Sequence, residues 1–376
     1  MQRRQFVQGA AGSAASIALP TWAQSRTIVL GQSAAFSGPA AELGRLFKIG
    51  ADLLFDRINA SGGVAGRNIE LRIQDDGYEP ERCATNTKKF IDDGVLALFG
   101  YIGTPTSLAA LPLATAARLP FIAPFTGAQA LREPFNRYAL HVRASYYDET
   151  AEIVKQLTTV GIKRIAVFYQ NDSYGKAGLD GVTRALKPLG LQPTALGTVE
   201  RNTVDVAAAV RSIVDSKPDA IVQISAYRSC AAFIRAARKA GFSGAFYNVS
   251  FVGTAALAKE LGADARGVAV SQVMPFPFTP TSAIAGEFLG AGKRKYSDKF
   301  EPNYSAIEGY VAAKVVVEGL RRGGSGAPSS ESLISGLESL RDFNVGGFFV
   351  DFSPSKHTGS KYVELTILTA EGRVRR

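Results

Sequence analysis

The sequence predicts an α/β fold made of two parallel-sheet units in tandem. Three observations carry this reading. Apolar strand-like runs such as "VLALFG" (95–100) and "RIAVFYQ" (164–170) alternate with segments of 3.6-residue hydrophobic spacing. The runs are apolar on both faces, as in a parallel sheet covered by helices on either side. The rhythm pauses at "RYALHVRASYYDE" (137–149) and then restarts, giving two units of over 100 residues each. At 376 residues with 46% apolar content, the chain is long enough for two cores.

The elements follow in order. "TIVLGQSA" (27–34) reads as a strand. Residues 40–60 read as a helix with Leu46, Ile49, Leu53, Leu54 and Ile58 on its apolar face. A glycine turn leads into an alternating strand ending at Asp75 and Asp76, and Pro80 opens a helix reaching residue 94. The strand at 95–100 runs into a loop, "GYIGTPTS" (100–107), then a helix (107–119) and the strand "PFIAPF" (120–125). In the second unit, helices are predicted at 151–161, 175–190, 204–217, 229–241 and 254–262. Strands lie between and beyond them at 164–170, 191–200, 220–225, 245–250 and 267–274. A further helix occupies 305–324, residues 323–332 form a loop, and a strand-rich tail begins at 345.

The first 23 residues read as a signal peptide: Arg3 and Arg4, a weakly apolar Ala/Gly segment, then Thr21-Trp22-Ala23 as a cleavage site. The arginine pair has a twin-arginine look. No window holds 18 uninterrupted apolar residues, so the expected mature protein is soluble and exported to the periplasm. The net charge is +10, to which this leader contributes +2. The basic residues are scattered in "TKKF", "RAARK", "GKRKY" and "RVRR", which predicts a solvated surface and no nucleic-acid partner. Cys83 and Cys230, each in a helix-like stretch, are expected as buried thiols, and two cysteines with two histidines disfavour a zinc site.

Catalytic signatures are missing. The first strand has no G-x-G-x-x-G after it, and the chain has neither G-x-x-x-x-G-K-[ST] nor G-x-S-x-G. No cofactor is expected. Asp75 and Asp76 are expected to cap the turn that follows them. An exported hydrolase would need a nucleophile beside a base, and two histidines make that a poor reading.

The loop at 100–107 sits where a parallel sheet binds ligands, beyond the carboxyl end of a strand. Its Thr104 and Thr106, and Thr126 after the next strand, read equally as helix caps or as holders of an anionic head group at a helix N-terminus.

A resemblance bears on that choice. "S-G-P-x-A-x-x-G" (37–44), "D-x-I-N-x-x-G-G-x-x-G" (56–66), the acidic pair at 75–76, "NDSYG" (171–175) and "RAARKAGF" (235–242) occur in the order seen in one family. The chain resembles the type I periplasmic binding proteins that serve ABC importers of branched-chain amino acids. The resemblance implies two Rossmann-like lobes joined by three hinge crossovers, closing on a small ligand. It places lobe 1 at 24–143 plus 275–345 and lobe 2 at 144–274 plus 346–376. It implies a monomeric receptor, not an enzyme, whose partners are membrane permease subunits. A sensor signalling to a membrane kinase or chemoreceptor is the alternative.

Carried over by position, the resemblance puts a ligand carboxylate at Thr104 and at the backbone of Phe125 and Gly127, with Thr126 beside them. Tyr174 and Tyr227 would reach in from lobe 2. Ser250 stands where amino-acid binders carry an acid for the α-ammonium, which argues against a standard α-amino acid. Gly127 replaces a threonine, and Leu43 stands where an aromatic can line the apolar end. A family disulfide maps to Tyr78 and Gly103 and is therefore lost. Tyr101, Phe125, Tyr146, Tyr147 and Phe276 are further candidates for an aromatic lining.

Overall fold

The structure is a computed structural model, and it describes residues 27–376. The expected signal peptide lies outside the described residues. The first unit runs β1 (Ile28–Ala34), α1 (Ala41–Ala60), β2 (Ile69–Asp75), α2 (Pro80–Asp92), β3 (Ala97–Phe99), α3 (Thr104–Ala116), β4 (Phe121–Ile122) and β5 (Ala139–Leu140). These strands form an all-parallel sheet ordered β2-β1-β3-β4-β5.

The second unit runs α4 (Tyr146–Thr159), β6 (Ile165–Gln170), α5 (Ser173–Leu186), β7 (Leu196–Val199), α6 (Ala207–Asp215), β8 (Ala220–Ile224), α7 (Tyr227–Lys239), β9 (Ala245–Asn248), α8 (Thr254–Leu261) and β10 (Val268–Gln272). The chain then returns through α9 (Ala283–Tyr296), α10 (Tyr304–Arg322), α11 (Ser330–Glu338) and the hairpin β11 (Phe343–Asn344) and β12 (Phe349–Val350). It ends with β13 (Glu364–Leu368) and β14 (Val374–Arg375). The second sheet is ordered β14-β13-β10-β9-β8-β6-β7, with its two tail strands antiparallel.

The chain therefore passes between the sheets three times, near 141–145, 273–282 and 351–363. The first and third passages lie side by side: His141 N–H donates to the His357 carbonyl at 2.8 Å, and Gly359 N–H to the His141 carbonyl at 2.7 Å. The hairpin β11–β12 pairs across the 345/346 boundary implied by the resemblance. We therefore propose placing that lobe boundary in the third passage, after the hairpin.

Three local readings are corrected. Of the expected face of α1, Leu53, Leu54 and Ile58 are buried, joined by Leu43, Phe47 and Ala51, while Leu46 and Ile49 are only half-buried. Helix α10 sets this face: a Cβ on Gly50 would stand 1.7 Å from the Ala306 carbonyl oxygen, so the two backbones meet directly there. The strand before Asp75 alternates poorly because β2 is a sheet edge, leaving Ile73 41% exposed. The supposed loop at 100–107 is half helix, since α3 starts at Thr104. Cys83 and Cys230 are free and buried, within α2 and α7.

Candidate functional site

The carboxyl ends of both sheets face one cleft, and its two walls are built differently. On the first wall, Gly103 precedes α3 with φ +98°, a conformation suited to glycine. Having no side chain, it leaves the start of α3 without a side-chain cap. Thr104 and Thr126, both buried, meet hydroxyl to hydroxyl at 2.6 Å. Thr126 donates onward to the Tyr146 hydroxyl at 3.2 Å, so Thr104 is the donor of the first bond. Thr106 is not part of this set, because its hydroxyl is taken up by the Ile102 carbonyl. Ser107, three residues after Thr104 and so on the same helix face, has a buried hydroxyl with no partner.

Phe125 brings the second candidate loop beside this wall, and its ring contacts Phe47 and Phe251 at 5.9 and 5.7 Å. A Cβ on Gly127 would stand 2.6 Å from the Tyr146 backbone nitrogen. Tyr146 thus fills the space beside Gly127. Leu43 lies against the second wall: a Cβ on Gly253 would fall 2.4 Å from its Cδ2. Tyr101 is not brought to the others. It packs on Phe121 at 4.9 Å and shares a hydrogen bond with Thr87 at 3.1 Å, in the core beneath α2. Tyr147 and Phe276 also turn elsewhere, to Asp180 and to Phe278 with Tyr304.

On the second wall, α4 and α5 are capped by their own acids. Asp148 and Ser145 form a capping box, and Asp172 accepts from the Tyr174 and Gly175 N–H groups. Tyr174 is fully buried, with its ring 4.5 Å from Phe251 and 5.4 Å from Tyr146. Helix α7 begins without a side-chain cap, and its first residue, Tyr227, is buried.

Ser250 is the centre of a network that the sequence did not reveal. Its N–H and hydroxyl donate to the two oxygens of Glu149, at 2.7 and 3.0 Å, and Ser271 donates to the same carboxylate at 2.6 Å. Arg143, 1% exposed in the first crossover, donates to the Ser250 hydroxyl. Its guanidinium lies 4.0 Å from Glu149, 3.4 Å from Glu308 of α10 and 4.6 Å over the Phe125 ring. Burial raises both carboxyls, and Arg143 opposes it. Glu308, with no hydrogen bond beyond that ion pair, goes up to about 7. The sequence signals were faint: an arginine within an apolar run, and one acid in the small-residue stretch "YSAIEGYVAA".

The two positions to which the resemblance maps a disulfide, Tyr78 and Gly103, pack against each other. Tyr78 lies on Gly103, whose added Cβ would stand 2.2 Å from its ring. The same ring contacts Phe251 at 5.9 Å and its hydroxyl accepts from Gln170 at 3.3 Å, both across the cleft. Beside it, Arg201 pairs with Glu79 at 2.8 Å and Asn202 donates to Glu79 at 2.7 Å. Asp75 and Asp76 cap the intervening turn, as expected, by accepting from Phe36, Ser37, Gly77 and Tyr78 N–H groups.

Comparison with known proteins agrees with this architecture. The family model described as "Periplasmic binding protein" matches residues 27–372. The chain is 28% identical over 318 residues to the Leu/Ile/Val-binding protein homolog 7 of Brucella abortus, covering 79% of this chain and 78% of that one. It is similar to the crystal structure of a substrate-binding periplasmic protein from Ralstonia solanacearum, with 34% identity, TM-score 0.86, and 92% and 99% coverage. It is also similar to that of a possible leucine/isoleucine/valine-binding protein from Rhodopirellula baltica, with 33% identity, TM-score 0.89, and 93% and 96% coverage. That family consists of solute-binding proteins, and no helix among the described residues is long and apolar enough to cross a membrane. Two lobes, three crossovers and a cleft between sheet ends, matched over nearly the whole chain, place it in one group: the chain belongs to the periplasmic binding protein family.

Proposed function

We propose that this protein is the periplasmic receptor of an ABC importer. It holds a small carboxylate-, amide- or amino-acid-like solute between its lobes and presents the closed form to membrane permease subunits. The observation that carries this reading is the pairing of two unlike walls across a three-passage hinge. One wall offers hydroxyls at an uncapped helix start, and the other offers aromatic rings that already touch the first. Such a hinge lets ligand contacts to both lobes shift an open–closed equilibrium. The names of similar structures include a leucine-binding protein from Thermotoga maritima and a fatty acid ABC transporter substrate-binding protein from Thermomonospora curvata, each 22% identical. Membership alone thus leaves the solute open, and the residues of the cleft have to supply it.

The test is reconstitution. The purified protein, loaded with a solute that raises its melting temperature, should stimulate ATP hydrolysis by its permease in proteoliposomes. Stimulation only of a membrane kinase would instead make it a sensor, and the absence of any solute-dependent stimulation would refute the importer reading.

A further inference from the structure

We propose that the hinge carries a second ligand site, outside the cleft, for a small oxyanion that keeps an O–H at neutral pH, such as hydrogen phosphate or bicarbonate. Arg132 and His141 are its two polar anchors. The proposal goes beyond the receptor reading and does not depend on which solute the cleft takes.

The site is a pocket of about 220 Å³ between the segment that leads into the first passage and the third passage. Arg132, Glu133 and His141 line it from one side, and Lys356 and Thr358 from the other. One water needs about 10–15 Å³ of such space, so the pocket has room for an anion of a few heavy atoms. Of the cleft residues, none of Thr104, Phe125, Tyr174 and Ser250 lines it.

Arg132 is the unusual member. It is 8% exposed, yet it forms no ion pair among the described residues. Its guanidinium donates to neutral acceptors instead: the Thr358 hydroxyl at 3.3 Å and the Arg143 and Ala144 carbonyls, both at 3.2 Å. These bonds tie the first passage to the third, so the site lies in the hinge itself. The Arg132 Nε has no hydrogen-bond partner. Buried donors of this kind are rare in native structures, and a buried charge is costly without a counter-charge. Burial and the neighbouring Arg143 lower the guanidinium to about 10, which leaves it a cation at neutral pH. The other cation lining the pocket, Lys356, already pairs with Asp351 at 2.6 Å. Of the acids at hand, Glu338 bonds His357 at 3.2 Å, and Glu133 is exposed, where water screens it.

His141 supplies the complementary chemistry. Its Nε2 lies 3.0 Å from the Leu131 carbonyl, which only accepts, so Nε2 carries the ring proton. Burial and the Arg132 charge hold the ring well below the usual histidine range, so it is neutral at pH 7. Its Nδ1 is then a lone-pair acceptor, buried and without a partner. A cationic donor neighbouring a neutral acceptor calls for a ligand with an anionic oxygen and an O–H. Hydrogen phosphate and bicarbonate have both, whereas sulfate has no O–H at neutral pH.

The experiment is isothermal titration of the purified protein at neutral pH and fixed ionic strength with inorganic phosphate, bicarbonate and sulfate. Phosphate or bicarbonate is expected to bind at least about tenfold tighter than sulfate, which would set an acceptor against the Nδ1 lone pair. The tighter of the two identifies the anion. Arg132→Gln should lose about ten- to hundredfold of that affinity, the worth of one charge-assisted hydrogen bond, while the cleft variant Thr104→Ala should change it less than about twofold. Because Arg132→Gln also removes bonds within the hinge, a second readout uses the unaltered protein. The chain has two histidines, so their ring-nitrogen NMR signals can be followed through the titration. The His141 Nδ1 signal should move as it accepts the anion's O–H, and the His357 signals should move less. Sulfate binding as tightly as phosphate and bicarbonate overturns the proposal. So does an unmoved Nδ1 signal, loss of anion binding in Thr104→Ala, or no binding of phosphate and bicarbonate at millimolar concentration. Each of these leaves the receptor reading intact, since that reading is decided separately in the permease assay.

Discussion

The two walls of the cleft solve the same problem in opposite ways. In lobe 1, α3 starts on a bare glycine, the Thr104 and Thr126 hydroxyls form a chain that ends on Tyr146, and Ser107 keeps an unpartnered hydroxyl. In lobe 2, α4 starts on the capping box of Ser145 and Asp148 and α5 on Asp172, and the buried Glu149 accepts three hydrogen bonds. The first wall is tied by a neutral hydroxyl chain and the second by a buried carboxylate network, and each keeps an uncapped helix start beside an unpartnered hydroxyl, Ser107 or Ser225, available to a head group. Arg143, in the crossover, belongs to both.

The contrast can be broken from its most buried member outward. Glu149→Ala should have the largest effect, about 3–5 kcal/mol of lost stability in urea unfolding, because it strips a buried guanidinium of a partner. A loss near zero would mean that the second wall does not depend on its internal network.

Glu308 comes next. Its pKa is about 7 in the fold against an ordinary value of 4.5, with Arg143 and Glu149 as the charged groups facing it. Between those pH values the native state binds more protons than the unfolded chain, so this group's contribution falls as pH rises, by up to about 3 kcal/mol. Glu308→Gln should remove that slope from the stability–pH curve relative to the parent. Identical curves would place Glu308 outside the charge network.

Thr104→Ala should weaken solute binding by about tenfold at a stability cost of about 1 kcal/mol, as expected for one hydrogen bond. Titration and unfolding of the same sample check both numbers, and unchanged affinity would move recognition away from the α3 start. The smallest effect belongs to the rim. Arg201→Ala breaks the pair with Glu79, where the side chains are 23% and 42% exposed. Less than about 1 kcal/mol of stability should be lost. X-ray scattering should show a larger average radius, and no change would mean that the pair does not hold the lobes together.

Much of the fold was legible because its signals are local. Fully apolar strands and amphipathic helices announce themselves within a dozen residues, and the restart near 145 marked the second sheet. The α1 face was misjudged because Gly50 of α1 and Gly309 of α10 create a close helix contact that an apolar stripe does not encode. In the site, the residues alone left Thr104 and Thr126 open between capping and ligand binding, and the structure joins their hydroxyls. Tyr101 was overread because its position beside that loop resembles a lining position, although the ring turns inward to Thr87. Arg143, Glu149 and Glu308 were missed because three separate segments bring them together, and no spacing in the chain records that meeting.

The central claim is that solute binding closes one wall onto the other. The most direct measurement is the distance between spin labels at Arg45→Cys on α1 and Lys259→Cys on α8, both exposed positions on helices that flank the cleft rim. The native thiols are buried, which leaves the introduced pair to react. The account predicts a longer or broader distance distribution after solute is stripped by unfolding and refolding, collapsing to one short distance when a binding solute is added. A distribution that stays the same with and without bound solute would contradict it.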